Sequence, residues 1–498
     1  MLIQEFINGP EIQVAIYGNG KSNSIEIVPK NNFYDYESKY FDNGATQHII
    51  PPRLDSKKID EANELGLKAH KILKCRGISR SDFILDKETL LPRNYDEING
   101  IRDILEKLST VGWAPAYDDN QKTIVALTKD RESITLEPGG QIELSGAPLD
   151  NIHETCEETT NHLRELKKLG EEFNFILLGM GVEPNLTLDD FPWMPKQRYK
   201  IMKEYMNRTG TLGQHMMKRT CTNQVNIDFF SEEDMINKFR LMLNLEAIAT
   251  AVFSNSPFDQ GSVSKYKSLR SHFWHHTDPD RTGLLPFVFD KNFNFERYTD
   301  YALNVPMYFI KRDNKYIDMT NYTFKEFFEG KCININHEVT LKDWEDHLTT
   351  LFPQARLKQY IEIRSMDACN WDLICSQPAF WVGMLYVDEI LDKVNEITEG
   401  WSNEDRYYLN QRVPEDGLQT KFKQKKIIDF AQEFYELSKK GLEKRNRLSK
   451  NGEFNESIHM KELENNLEIG CSPADCLINK FNNQWGQSIK PIYQDLIF

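Results

Sequence analysis

The chain runs to 498 residues, 40% hydrophobic and 28% charged, which excludes a disordered protein and leaves room for one large enzyme domain with a smaller companion. Its formal net charge of -15 excludes a general nucleic-acid binder, whose phosphate-facing surface would be basic, and no apolar run is long enough to cross a bilayer. The cysteines at 75, 156, 221, 332, 369, 375, 471 and 476 form no CxxC pair, and the opening MLIQEFINGPEIQ has no basic stretch followed by an apolar core. These features predict a cytoplasmic protein with reduced thiols, with neither structural disulfides nor a thiolate zinc site.

In chain order, QEFI, an NGP turn, IQVAIYG and NSIEIVP predict a small β meander within the first 30 residues. Over 55–74, Ile59, Ala62, Leu65, Ala69, Ile72 and Leu73 recur at helical spacing, with Asp55 or Ser56 as the N-cap. GISRSDFIL follows as a strand. A helix is predicted over 95–109, with Ile98, Ile101, Ile104, Leu105 and Leu108 on one face. KTIVALTK and ESITLEP read as a hairpin and QIELSG as a further strand. Helices over about 151–175, 197–207 and 231–250 then alternate with the strand-like TCTNQVNIDF and YIEIRSMD. Near the C-terminus, QKKIIDFAQEFYELSKKGLEKRNRLSK reads as an amphipathic helix on a solvated outer face. The class is α+β.

Certain stretches carry chemistry. In SITLEPGGQIELSG, Glu137 ends one strand and Glu143 lies on the next, beside a Pro138–Gly139–Gly140 turn. Paired carboxylates can hold Mg2+, and glycines would let phosphate oxygens approach the backbone; an exposed hairpin explains the same letters. In YIEIRSMDA, Glu362 and Arg364 share one strand face, which fits metal plus phosphate binding or a surface ion pair. MMKRTCTNQVNIDF sets Thr220, Thr222, Gln224 and Asn226 in a polar row, either a binding surface or a wet strand face. RSHFWHHTDPDRTG packs Arg270, Trp274 and Arg281 among histidines without HExxH spacing, so it reads as a polar binding loop and not a zinc site.

From about residue 86 to the end, the chain resembles the glutamate–cysteine ligase family of plants and α-proteobacteria. The matching strings include TLEPGGQIELSGAP, DDFPWMPKQRYKIMKEYM, MMKRTCTNQVNIDF, RSHFWHHTDPDRTG and WEDHLTTLFPQARLKQYIEIR, in the family's order. The resemblance implies a glutamine-synthetase-like carboxylate–amine ligase fold, a curved antiparallel sheet packed by helices. It also implies ATP- and Mg2+-dependent joining of glutamate to cysteine through an acyl phosphate. Carried over by motif, Glu137, Glu143 and Glu362 face the metal. By the same resemblance, Arg198, Met217, Thr220, Gln224, Asn226, Arg270 and Trp274 would line the glutamate and cysteine pocket, Arg364 would meet phosphate, and Glu362 and Arg364 would be the catalytic pair.

Residues 1–85 resemble a different family, the C-terminal ATP-grasp half of D-alanine–D-alanine ligase, through EFINGPEIQVAIYG, IEIVPKNNFYDYESKY, TQHIIPPRL and KAHKILKCRGISRSDFIL. Arg80 and Asp82 match that family's phosphate- and Mg2+-facing residues, but the ExN motif that should follow is missing. In the first family, the segment before KETLLPRNYDEI is a strand of the type GTEHEKFGF. Here GISRSDFIL takes its place, with Ser79 and Ser81 where the two glutamates would stand, so the chain reads as a fusion joined inside a strand. The rival readings are a folded fusion with impaired or no ligase activity and a D-alanine–D-alanine ligase.

Overall fold

The computed structural model describes the backbone of residues 11–17, 21–28, 47–49 and 77–86, and residues 88–118, 123–313, 315–333 and 335–496 in full. Strands β1 (Glu11–Tyr17), β2 (Lys21–Val28) and β3 (Gln47–Ile49) form a three-stranded antiparallel sheet in the order β1-β2-β3; the first two are the predicted IQVAIYG and NSIEIVP runs, the third comes from beyond the 30 residues of the predicted meander, and QEFI lies outside the described residues. The helix predicted over 55–74 lies outside the described residues.

The body is organised by a second, nine-stranded sheet. Its members in chain order are β4 (Gly77–Asp86), β5 (Ala114–Tyr117), β6 (Ile124–Lys129), β7 (Glu132–Leu136), β8 (Ile142–Ser145), β9 (Phe175–Leu178), β10 (Asn223–Ile227), β11 (Ala355–Leu357) and β12 (Ile361–Ile363). The spatial order is β11-β12-β10-β4-β8-β7-β6-β5, antiparallel throughout. Strand β4 is central. Its first half lies between β8 and β10, and its second half, Phe83–Asp86, pairs with β9. The strand that resembles another family therefore completes this sheet.

Helices cover the sheet where their apolar stripes demand it. Helix α1 (Ile101–Thr110) buries Ile101, Ile104, Leu105 and Leu108. It begins later than predicted, leaving Ile98 89% exposed. Asn99 takes a left-handed φ of 58°, and the Ile101 amide donates to the Asn94 carbonyl, so residues 94–100 close a turn instead of a first helical turn. Helices α2 (Ile152–Phe173) and α5 (Glu232–Val252) start where Asn151 and Ser231 side chains accept from the amides of Glu154 and Asp234. Among the described residues, no helix is long and apolar enough to cross a membrane.

The predicted amphipathic helix is present, its charged face solvated and its apolar face built into the core. Helix α8 (Ile427–Arg445) buries Phe430, Ala431, Phe434, Ser438, Gly441 and Leu442 against α7 (Ser376–Leu385), which is buried along its whole length. The two backbones meet at glycines: a Cβ on Gly441 would stand 1.8 Å from the Gly383 carbonyl oxygen. The charged residues that dominated the sequence pattern occupy only the outer half of α8.

The expectation of reduced thiols fails for one pair. Cys156, near the start of α2, is disulfide-bonded to Cys375, which precedes α7, with Cα atoms 5.8 Å apart and a sequence separation of 219. Local spacing cannot reveal such a pairing, because only the folded chain brings the two helix ends together. Among the described residues, Cys221, Cys332, Cys369, Cys471 and Cys476 take part in no disulfide.

Candidate active site

The sheet register assembles the site. Opposed residues of an antiparallel pair project to the same face. Glu362 stands opposite Arg356 on one side and Asn226 on the other, Gln224 opposite position 79, and Glu143 opposite position 81 and Thr135. One face thus carries Arg356, Glu362, Asn226, Gln224 and Glu143, and serine positions 79 and 81 fall in the same rows. Glu137 follows two residues after Thr135.

Glu362 is only 2% exposed, so the surface ion-pair reading does not hold. Its Oε1 accepts from Arg356 Nη2 at 2.7 Å and Arg364 Nη1 at 2.5 Å, while Lys358 Nζ reaches Oε2 at 3.3 Å. Burial alone would raise this carboxyl's pKa. Arg356, Lys358 and Arg364 more than offset that and hold it well below the usual carboxylate range. Arg364 Nη1 also donates to Gln224 Oε1 at 2.9 Å. Its guanidinium lies 5.4 Å from the Trp274 ring centroid, and that of Arg270 lies 5.6 Å from the same ring. Trp274 comes from helix α6 (Leu269–His275), so RSHFWHH is helical and not a loop. Arg270 Nη2 donates to the Arg364 carbonyl at 2.8 Å. Burial lowers the Arg270 pKa to about 10, leaving it charged at neutral pH. Beyond the helix, Arg281 and Asp278 form a fully buried ion pair, a structural role the binding-loop reading missed.

The Glu137 turn is rigid for a reason other than phosphate approach. Gly139 is pressed onto the next layer, where a Cβ would stand 2.4 Å from the Lys218 carbonyl oxygen. Gln141, 1% exposed, accepts from the Gly139 amide at 2.9 Å and donates to the carbonyls of Lys218 and Thr220 at 3.1 and 3.2 Å. Gly140 holds φ at 92°. Protein atoms, not open space, surround both glycines. The turn is thereby tied to helix α4 (Gly213–Arg219), which carries Met217 in the core. The Thr220 hydroxyl donates back to the Met216 carbonyl at 2.7 Å, and Thr222 to the Met366 carbonyl at 2.6 Å.

Helix α3 (Gln197–Thr209) carries Arg198, which feels the charge of Glu137. Just before it, Lys196 Nζ donates to the Leu136 carbonyl at 2.7 Å. Burial and Arg198 lower the Lys196 pKa to about 7, against the pull of Glu137 and Glu143. Sequence reasoning missed Lys196, Arg356 and Lys358. The signal for Arg356 was present: a tight turn after ARL places it opposite Glu362 in the β11–β12 hairpin.

Several buried polar atoms around this face have no partner among the described residues: Nε of Arg198, Arg270, Arg356 and Arg364, Trp274 Nε1 and Asn226 Oδ1. Donors left over in buried, charged surroundings suit an anionic ligand, and the leftover acceptor suits an ammonium.

The sequence model of Glutamate-cysteine ligase family 2 matches residues 82–495, and that of the D-ala D-ala ligase C-terminus matches residues 1–101. Glutamate–cysteine ligase B, chloroplastic, of Oryza sativa subsp. japonica is 46% identical over 424 residues, covering 85% of this chain and 83% of its own. The chloroplastic glutamate–cysteine ligase of Arabidopsis thaliana is 44% identical over 427 residues, covering 85% and 79%. Among solved structures, a glutamate–cysteine ligase of Francisella tularensis in complex with AMP superposes with a TM-score of 0.50 at 13% identity, covering 84% of this chain and 88% of that one, a likeness of fold. The cytoplasmic expectation is overturned by these relatives, which are named chloroplastic. Its premise tested only for a secretory signal, a different segment from an organelle transit peptide.

Proposed function

The chain belongs to glutamate–cysteine ligase family 2, and from this premise we propose that it joins the γ-carboxylate of L-glutamate to the amine of L-cysteine, driven by ATP, as the first step of glutathione synthesis. The observation that carries the reading is the sheet face shared by Glu143 and Glu362, where Arg364 contacts Glu362 and lies with Arg270 against Trp274. In the reaction, the γ-phosphoryl group of ATP moves to the glutamate γ-carboxylate, leaving ADP and γ-glutamyl phosphate. The cysteine nitrogen then attacks the acyl carbon, phosphate departs with its bonding pair, and the new amide sheds a proton.

The side chains have matching tasks. Arg364 meets the transferring phosphoryl oxygens, held in place by Glu362, Gln224 and the Trp274 ring. Arg198, Arg270 and Trp274 direct unpaired donors at substrate carboxylates, Asn226 Oδ1, Gln224 and Thr220 address the polar ends of the amino acids, and Met217 is an apolar wall. Mg2+ suits Glu137 and Glu143, half-buried carboxylates that act on the same Lys196, together with Oε2 of Glu362, which Lys358 approaches at 3.3 Å. When bound, the ion would screen the charge gathered on the phosphates.

For the organisation, the reading is a D-alanine–D-alanine ligase-like ATP-grasp remnant over 1–85 and a ligase domain over 86–498. The overlap of the two family matches at 82–101 and the central place of β4 support a join inside that strand. The test is phosphate release from ATP by the purified chain. Glutamate and cysteine together should stimulate it and D-alanine should not, whereas formation of D-alanyl-D-alanine would overturn the reading.

A further inference from the structure

We propose that, once the Cys156–Cys375 disulfide is reduced, Cys156, Cys375 and His459 form a binding site for a thiophilic divalent cation of the Zn2+ class, built from none of the ligase residues. The three ligand atoms lie within 4.8 Å of one another. His459 Nδ1 is 3.5 Å from Cys156 Sγ. Two thiolates and an imidazole are a soft donor set that favours zinc over the hard Mg2+ used with phosphates, and water can complete a tetrahedron.

The imidazole is aimed by a proton chain that can be read from its far end. The Arg447 carbonyl only accepts, so His153 Nε2, 3.2 Å away, must donate to it. In the neutral ring His153 Nδ1 is then an acceptor, and His459 Nε2, at 2.9 Å, donates to it. That leaves the lone pair of His459 on Nδ1, the atom facing Cys156. A ligating histidine whose other nitrogen is fixed by a neighbour is the arrangement seen at protein metal sites. His153 and Cys156 lie in one turn of α2, three residues apart, so donor and orienting group share a helix face.

The frame around the cluster is fixed without the disulfide. Glu456, fully buried, accepts from the Ile152 amide at 2.8 Å and from Arg445 Nε at 2.9 Å. The Ser376 hydroxyl donates to the His459 carbonyl at 2.7 Å. Opening the S–S bond therefore leaves the start of α2, the start of α7 and the His459 segment held together. The chemistry balances in two steps. A dithiol reductant donates two electrons and two protons to the disulfide and becomes a disulfide itself. The cation then displaces one proton from each thiol, with His459 contributing its neutral lone pair.

The whole chain, reduced with a phosphine and freed of it under anaerobic conditions, is titrated with Co2+ and then Zn2+. One Co2+ per chain should bind with a thiolate-to-cobalt charge-transfer band that Zn2+ abolishes. The disulfide form and the Cys156→Ser variant should lack the band, and a Cys471→Ser/Cys476→Ser variant should keep it. His459→Ala should weaken Zn2+ binding about 10- to 100-fold, and His153→Ala about tenfold. In the wild type, bound Zn2+ should slow re-formation of the disulfide by an oxidant, and a chelator should restore it, a readout that needs no variant to fold. Cobalt binding without a thiolate band, as carboxylates such as Glu137 and Glu143 would give, or a band that survives Cys156→Ser, overturns the proposal.

Discussion

At the scale of single residues, Arg364 is the side chain on which most of the site converges. It touches Glu362 and Gln224, passes its carbonyl to Arg270 and lies over Trp274. Replacing Arg364 with Ala should lower kcat by roughly 10²–10³, the loss typical of a positioned donor to developing charge. Arg364→Lys should rescue little, because an ammonium cannot match the planar fork. Steady-state kinetics in glutamate and in ATP check both. A second residue-scale prediction concerns stability. Glu246 is 2% exposed on α5, accepts from Asn410 Nδ2 at 2.9 Å, and burial raises its pKa to about 7. The folded state thus holds a proton that the unfolded state loses above its ordinary value near 4.5. Stability should fall as pH rises between those two values and then level off. Glu246→Gln, which keeps the acceptor without the charge, should remove this slope and stabilise the protein by about 3 kcal/mol above pH 7. Urea denaturation across pH reads it out.

At the scale of elements, the α7–α8 crossing and strand β4 each make a prediction. Gly383 and Gly441 sit where the backbones meet, so Gly441→Ala must push the helices apart. The expected loss is about 1–3 kcal/mol or more, measured as a lower urea midpoint with unchanged m. In β4, positions 79 and 81 fall in the rows of Gln224 and Glu143, where the sequence resemblance implies glutamates. Serine offers a neutral, weaker ligand there. Ser79→Glu with Ser81→Glu should lower the Mg2+ concentration that gives half-maximal phosphate release; no change would show that these positions do not reach the ion. Legibility also divides at this scale. The period-2 spacing of Glu362 and Arg364 and the hairpin around Glu137 could be read directly, because strand alternation is local. Helix α8 could not, because its charged letters describe the solvated half and say nothing of what covers the other. The start of α1 failed at Asn99, whose left-handed conformation periodicity does not report.

At the scale of the whole molecule, distant segments converge on one sheet face. Arg356 and Glu362 come from β11 and β12, Asn226 from β10, Glu143 from β8, and Trp274 from α6. The antiparallel sheet with packed helices and the candidate site strings were legible because the motifs are long and ordered. The cations around Glu362 and the Cys156–Cys375 link were not, because they depend on tertiary register. The most direct test of the central claim follows an oxygen atom. The chain is supplied with ATP, cysteine and glutamate labelled with 18O in the γ-carboxylate. Transfer through γ-glutamyl phosphate predicts one labelled oxygen in each phosphate released and γ-glutamylcysteine formed in equal amount. Unlabelled phosphate, or phosphate released without the dipeptide, would contradict the account.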